Sequence, residues 1–479
     1  MRILILLALG GLMAVAHSFE VAGDTIGSGT ALSVGFLILA AYLTGWVAKL
    51  LGMPKLTGYL LAGLLSGNTL LALLPEASSG DLKIFTGVAV SLIALTAGTE
   101  LEIKTMRPLM RTVAWLTGLA GIGTALILAI AAWLIRDQLP FMAGLTPAGT
   151  IAMAAVLGVV MSANSPAVVV ALRTEMNADG PLCRTVLGAV VMGDLLVILL
   201  FAGVGAAAAP FLGSESDQGA LVHLVWHIGG SLVVGSGVAG LLYLFMRFVG
   251  QSTALFVVAL SFVVAEVGAR IGLDPLLVAL SAGILVRNAS PYGNALHEAI
   301  EGSSLPVYLV FFAAAGASIH LDVLMVVGIP ALLFVVVRAI SFLTTAWFAA
   351  TIAGAEPVVR RLVGFGLLPQ AGLALALGLL MVKTFPAVGQ AAGTLVLGVV
   401  AINEIVMPIV YRIALLRSGE VGRAAHNPSS AFAIAAPDSS SQNPVNAPWE
   451  ESESGLLLAE LPRVDEPKPA APSTAPASQ

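Results

Sequence analysis

The strongest constraint on the fold is a series of apolar stretches long enough to cross a lipid bilayer. A helix needs about 20 residues to cross hydrocarbon that is about 30 Å thick. Thirteen candidate spans lie at 31–50, 56–75, 84–100, 112–135, 147–172, 183–209, 220–246, 252–271, 274–287, 304–319, 323–353, 361–383 and 390–416. Only 10% of the residues are charged, and the mean hydropathy is +0.98. The sequence therefore predicts an all-α polytopic membrane protein with about 13 transmembrane helices.

Lysine and arginine are distributed unevenly between the loops that this order of spans predicts. With the start of the first span outside, the inward loops hold 14 of these residues and the outward loops hold 4. The inward residues are Lys49, Lys55, Lys104, Arg107, Arg111, Arg173, Arg184, Arg247, Arg287, Arg360, Arg361, Arg412, Arg417 and Arg423. The outward residues are Lys83, Arg136, Arg270 and Lys383. Because positive loops stay on the cytoplasmic side, we expect an external N-terminus, a cytoplasmic C-terminus and a bacterial inner (plasma) membrane.

The two ends of the chain differ from the spans between them. Residues 1–29 are expected to hold a signal peptide and a short external segment, because Arg2 precedes a short apolar run that ends near Ala14-Val15-Ala16. A retained extra helix is the alternative. Residues 30–417 are predicted to form the transmembrane domain. Residues 418–479 turn rich in proline, serine, alanine and acidic residues, and they are predicted to form a disordered cytoplasmic tail.

Two spans carry polar interruptions that contain proline. Dividing the spans into six, one linker and six places both interruptions, 161–166 and 364–372, in the fifth span of their set. Proline removes a backbone donor and clashes with the preceding helical turn. Paired interruptions in halves that start on opposite sides of the membrane are typical of transporters with inverted repeats. The sequence predicts two inverted six-helix repeats with discontinuous crossing helices, and two ordinary proline kinks are the alternative.

One aspartate lies in the span that follows the first interruption. Asp194 has no compensating charge within residues 185–202. A carboxylate at this depth costs a few kcal/mol or more unless water or a counter-charge reaches it, so we predict that it binds and releases a proton or a cation. Arg338, near the middle of another long span, cannot lose its proton. It needs carboxylate or carbonyl acceptors and is predicted to support the site.

Two further acidic residues lie away from the ends of their spans. Glu266 is either a second titrating group or a side chain that extends toward the interface beside Arg270. Glu404 is expected to make polar contacts between helices near Arg412 or within the last helices.

Other titratable residues lie at the ends of spans. Glu100 and Glu102, beside Lys104, are expected to form a solvated cap of the third span. His223 and His227 lie near the outer end of the linker span and are expected to face water, although histidine can sense pH.

Four segments carry a resemblance to a known family. Residues 54–63 (PKLTGYLLAG), 97–102 (AGTELE), 272–285 (GLDPLLVALSAGIL) and 306–316 (PVYLVFFAAAG) are together similar to the monovalent cation:proton antiporter-2 family. The resemblance covers roughly residues 30–416, and the order of the segments carries it more than any one motif does.

The resemblance implies a site at which two unwound helices cross beside an aspartate that binds the cation or protons. It assigns ion binding to Asp194 with Asn164 and Ser165, the second unwound stretch to Pro369 and Gln370, and the opposing basic residue to Arg338. One departure concerns Gly193, where relatives commonly have asparagine or aspartate. The lone carboxylate predicts exchange of one proton for one cation, without net charge movement, unless Glu266 adds a proton.

The expected function is therefore exchange of Na⁺ or K⁺ for protons by alternating access around Asp194. The alternative is a sodium-coupled solute symporter on the same architecture, although aromatic residues, which would line a larger cavity, make up only 6% of the chain. An intramembrane aspartyl protease is excluded, because Val191 replaces a required glycine and no Tyr-Asp pair exists. We expect a transporter and not an enzyme, with no cofactor and no nucleic acid. The expected partners are monovalent cations, protons, the lipid bilayer and, as in relatives, a second copy in a homodimer.

Overall fold

Helices account for all regular secondary structure in the part of the chain that the computed structural model describes. That part comprises residues 28–67, 70–71, 73, 78–212, 226–301, 304–319 and 321–424. The predicted all-α class is confirmed there. The expected signal peptide, most of the tail and His223 lie outside the described residues, as does the side chain of His227.

The helices follow one another with short connections. In chain order they are α1 Ser28–Leu50, α2 Lys55–Ser66, α3 Ser78–Glu100, α4 Ile103–Leu134, α5 Pro147–Met161, α6 Pro166–Glu175, α7 Pro181–Ala208, α8 Ser231–Phe248, α9 Thr253–Ile271, α10 Pro275–Ala289, α11 Gly293–Glu301, α12 Ser304–Ala317, α13 Leu321–Ile352, α14 Pro357–Gly366, α15 Gly372–Thr384 and α16 Pro386–Ser418. Several begin at a proline, whose fixed φ and missing N–H suit the first position of a helix.

Six helical segments of the described chain are long and apolar enough to cross a membrane. They are Ile103–Leu134, Pro147–Glu175, Pro181–Phe211, Ser231–Phe248, Val327–Ile352 and Pro386–Ser418. Shorter apolar helices accompany them, including α10 and α12 with 15 and 14 residues. At 1.5 Å per residue these two extend only about 22 Å. The total of thirteen spans and the inverted repeats stay predictions.

The helices divide into two packed groups. The panel group consists of α1, α2, α3, α8, α9, α10 and α12. Within it α3 and α10 cross with their backbones nearly touching, because a Cβ added at Gly283 would lie 2.5 Å from the Leu95 carbonyl oxygen. Small residues permit such close crossings in membrane proteins. The crossing group consists of α4, α5, α7, α13, α14, α15 and α16, and α6 lies between the groups.

Both predicted helix interruptions are confirmed, and both lie in or beside the crossing group. The first separates α5 from α6 at residues 162–165, and the second separates α14 from α15 at residues 367–371. The side chain of Ser165 accepts a hydrogen bond from the Val168 N–H and thereby caps α6. Residues 162–165 are all buried, so this interruption lies inside the protein and not against lipid.

Candidate ion-binding site

Arg338 joins the two unwound segments. Its guanidinium donates from Nε to the Met161 carbonyl oxygen at 2.8 Å, from Nη2 to Ala163 O at 2.8 Å and from Nη1 to Leu368 O at 2.5 Å. The side chain is fully buried. Of the two acceptor types that the sequence left open, the structure shows carbonyls, and no ion pair links Arg338 to Asp194.

Side-chain amides connect the same segments further. The Asn164 amide donates to the Leu367 carbonyl oxygen of the opposite segment. Gln370 donates through Nε2 to Met161 O at 3.2 Å and accepts from Asn403 Nδ2 at 2.8 Å. Asn403 belongs to α16, so this chain of hydrogen bonds ties the crossing to the last helix. Pro369 is buried in the second segment.

Asp194 lies on α7, against the first unwound segment. Only 2% of the residue is exposed, and neither carboxylate oxygen has a hydrogen-bond partner among the described residues. A Cβ added at the neighbouring Gly193 would lie 3.5 Å from Asn164 Oδ1, which places the amide oxygen of Asn164 against this turn of α7. A buried carboxylate without donors is costly while it is charged. An ionised Asp194 would therefore need a counter-charge or hydrogen-bond donors that the described residues do not supply.

The predicted site residues separate into two sets. Asn164, Ser165, Pro369, Gln370 and Arg338 lie in the two unwound segments or are bonded to them, and Asp194 lies beside them. Glu266 is elsewhere, on α9, where its half-exposed carboxylate pairs with Arg270 at 2.6 Å. No hydrogen bond or ion pair connects Glu266 to Asp194 or Arg338.

A polar cavity of about 480 Å³ opens at one end of the bundle, which we call the basic face. Three of the arginines predicted to face inward line it, each paired with a carboxylate. The pairs are Arg173 with Glu100, Arg184 with Asp179 at 2.7 Å, and Arg287 with Glu102 at 3.2 Å. The expectation of a solvated cap was wrong for Glu100, because its side chain is buried against Arg173.

Asp179 lies in the loop between α6 and α7. Burial alone raises the pKa of its carboxyl group. The hydrogen bonds and charge of Arg184, together with the charge of Arg173, outweigh burial and leave that pKa below its ordinary value. Asp179 is therefore ionised at neutral pH and holds the two arginines at the start of α7.

Several polar residues at the site or at the ends of helices were not predicted from the sequence. Asn403 completes the hydrogen-bond chain to Gln370. Asp274 caps α10 by accepting a hydrogen bond from the Leu276 N–H. Glu420 accepts hydrogen bonds from the backbone of Leu182 and Cys183, and so caps the helix that carries Asp194. All three are ordinary polar residues in sequence, and only their distant partners reveal Asn403 and Glu420.

The family model described as "Sodium/hydrogen exchanger, transmembrane" matches residues 37–417. The chain belongs to the sodium/hydrogen exchanger family. Proteins of this family are membrane transporters and not enzymes, and their substrates are cations and protons. Family membership and the apolar helices make this exchanger an integral membrane protein.

The similarity to a characterised antiporter supports the assignment of this chain to the family. The chain is 24% identical over 373 residues to the Na⁺/H⁺-K⁺ antiporter GerN of Bacillus cereus. The alignment covers 74% of this chain and 90% of the relative. Two solved structures of the sodium proton antiporter MjNhaP1 from Methanocaldococcus jannaschii share its fold. One has a TM-score of 0.59 at 17% identity and covers 80% of this chain and 97% of the other. The second has a TM-score of 0.62 at 18% identity, with coverages of 80% and 96%.

Proposed function

We propose that this exchanger moves a monovalent cation, Na⁺ or K⁺, against protons by alternating access around Asp194. The observation that carries the proposal is the difference in bonding between Arg338 and Asp194 at the crossing of the two unwound segments. The hydrogen bonds of Arg338 go to backbone carbonyls, while both oxygens of Asp194 have no donor. Asp194 is thus the acidic group of the crossing that a transported ion can neutralise.

The chemistry of the surrounding groups suits a dehydrated alkali cation. Asp194, the amide oxygen of Asn164 and the hydroxyl of Ser165 are hard oxygen ligands, which Na⁺ and K⁺ prefer over nitrogen or sulfur. Unwound backbone adds carbonyl oxygens near the middle of the membrane. Proton and cation compete for one carboxylate, and this competition couples their transport without a further device.

The charge count at this site favours an electroneutral cycle. Arg338 stays charged throughout, and Asp194 carries either one proton or one cation. One proton then exchanges for one cation, and no net charge crosses the membrane. We also propose that the exchanger works as a homodimer in a bacterial inner membrane. The arginine-rich basic face is then cytoplasmic by the positive-inside rule.

Transport in proteoliposomes tests the proposal. An imposed pH gradient is expected to drive Na⁺ or K⁺ flux in the native protein, and Asp194→Asn is expected to abolish it because the amide cannot carry a proton. The matched control is Glu266→Gln, which removes an exposed carboxylate and is expected to keep the flux. Exchange by Asp194→Asn at the native rate would overturn the mechanism. A native flux that follows an organic solute gradient and not the pH gradient would favour a sodium-coupled symporter.

A further inference from the structure

A second carboxylate is buried in the membrane domain, and the mechanism above does not use it. Glu404 lies on α16 and is 3% exposed. Polar contacts between helices were expected for Glu404 near Arg412 or within the last helices, but Arg412 donates to the Gly52 carbonyl oxygen. No hydrogen bond or ion pair connects Glu404 to any described residue.

Glu404 borders a small cavity between the two helix groups. The cavity has a volume of about 30 Å³, enough for one or two water molecules. On the crossing-group side it is lined by α15 and α16, and on the panel side by Ser318 and Ile319, which follow α12. Ser318 is the other polar side chain in a lining that is otherwise apolar.

The residues of α16 that line the cavity with Glu404 lie on the half of the helix that leads away from the basic face. On α16 the other lining residues, Leu397, Val400 and Ala401, precede Glu404 and so lie nearer the Pro386 end. The opposite end of α16 leads into the segment that contacts the loop before α7 at the basic face, where the Asp179 N–H donates to the Glu420 carbonyl oxygen. Beside the cavity, Leu64, Ile319 and Ala401 form a small apolar cluster between α2, α12 and α16.

Among the described residues, the surroundings of Glu404 contain no counter-charge. The elements packed around the cavity are α2, the end of α12, α15 and α16. Among the residues that the structure describes, they contribute no other titratable or charged side chain to its lining. An ionised carboxylate is expensive in such a place, whereas its protonated form carries no charge. The closed contact between the two groups therefore fits a neutral Glu404.

We propose that Glu404 is a second proton-binding site, distinct from Asp194, which takes its proton from the face opposite the basic face and holds that face closed while the proton is bound. When the panel and crossing groups separate there, water enters the cavity and Glu404 ionises. The proton returns to the side from which it came, so this site adds nothing to the exchange stoichiometry. The inference rests on the proposed alternating access.

The site is also coupled to the crossing through its neighbour in sequence. Asn403 bonds Gln370, and Gln370 shares the Met161 carbonyl oxygen with Arg338. Movement of α16 that opens the cavity therefore pulls on both unwound segments. Protonation of Glu404 then controls how fast the site turns over, whereas protonation of Asp194 competes with the cation.

Kinetics separate the two proton sites. In oriented proteoliposomes, acidification of the face near Glu404 is expected to raise the cation KM through Asp194 and to lower the maximum rate through Glu404. Glu404→Gln, nearly isosteric and permanently neutral, is expected to lose the pH dependence of the maximum rate and to keep that of KM. Glu266→Gln and His320→Gln are the controls, since His320 follows Ile319 in sequence and lies outside the described residues. A maximum rate that keeps its native pH dependence in Glu404→Gln would overturn the inference.

Infrared difference spectroscopy on the purified protein supplies a readout that does not need transport. A pH titration of Asp194→Asn is expected to show the C=O band of one buried protonated carboxyl group, which disappears in Asp194→Asn/Glu404→Gln. Persistence of that band in the double variant would contradict the assignment to Glu404. Because this result is independent of flux, it distinguishes failure of the second site from failure of the proposed exchange.

Discussion

At the scale of single residues, the arrangement of Arg338 explains how the protein keeps a permanent charge in its interior. Met161 is the last residue of α5, and Leu368 follows the end of α14 by two residues. The C-terminal ends of helices carry partial negative charge, so the guanidinium lies where two such ends meet. The same hydrogen bonds satisfy carbonyls that the unwound backbone would otherwise leave unpaired.

Replacement of Arg338 is expected to damage stability before it affects ion chemistry. Arg338→Met removes the side-chain donor of Ala163 O and Leu368 O and leaves Met161 O with Gln370 alone. Each unsatisfied buried group costs about 1–3 kcal/mol. Arg338→Lys keeps the charge but cannot reach all three and is expected to be intermediate. The measurement is the thermal unfolding midpoint in detergent.

The matched control for Arg338 is Arg136→Met. Arg136 is partly exposed and donates to a single carbonyl, that of Trp133, so this change is expected to alter the free energy of unfolding by about 0.5 kcal/mol or less. Equal midpoints for Arg338→Met and the native protein would show that the carbonyl contacts contribute nothing.

At the scale of elements, α7 is unusual because its N-terminal cap comes from the far end of the chain. Gly180 precedes the helix and supplies no side chain. Glu420 instead accepts from the Leu182 N–H at 2.6 Å and from the Cys183 N–H at 2.8 Å. A Cβ at Gly180 would overlap the Glu420 side chain, so glycine is needed for this approach. The negative carboxylate also suits the positive end of the helix.

Loss of the Glu420 cap is expected to loosen the first turn of α7. Glu420→Ala should destabilise the protein by about 1–2 kcal/mol, as other cap losses do, and Glu420→Gln should cost less because one acceptor remains. Hydrogen exchange at the amides of Leu182 and Cys183 measures the effect locally. Glu356→Ala is the control, because Glu356 occupies the N-cap position of α14 without a side-chain cap bond. Unchanged exchange at both amides in Glu420→Ala would refute this role.

At the scale of the whole molecule, alternating access requires the panel and crossing groups to move against each other. Ile319 and Ala401 pack together across their boundary. In a Cys183→Ala background, a disulfide between Ile319→Cys and Ala401→Cys is expected to stop exchange, and reduction is expected to restore it. Flux assays before and after reductant measure this.

The control for the cross-link lies inside the crossing group. Thr124 on α4 and Thr345 on α13 have their hydroxyl oxygens 3.2 Å apart, and a disulfide between cysteines at these positions should leave exchange unchanged. If both disulfides left the flux intact, relative movement of the groups at Ile319 and Ala401 would not be part of the cycle.

Local chemistry made part of this structure predictable. The interruptions at Pro166 and Pro369 follow from proline together with the polar or glycine residues around it, since Pro330 and Pro408 lie inside unbroken helices. The unusual placement of Asp194 and Arg338 follows from the cost of charge in hydrocarbon. The partners were not predictable. In sequence, Glu100 lies beside Lys104 and Glu404 lies near Arg412. The fold instead pairs Glu100 with Arg173 and bonds Arg412 to Gly52, and none of the described residues bonds to Glu404.

Residues 420–424 pack against the loop before α7, and this contact can form only late in synthesis of the chain. The backbone N–H groups of Gly422 and Ala424 donate to the carbonyls of Met176 and Asn177, and Glu420 completes the first turn of α7. During synthesis, Asp194 enters the membrane more than 200 residues before these groups are made. A half-made chain has a carboxylate in the bilayer but no finished site around it. The first turn of α7 can therefore be capped by Glu420 only after the last helix has been made.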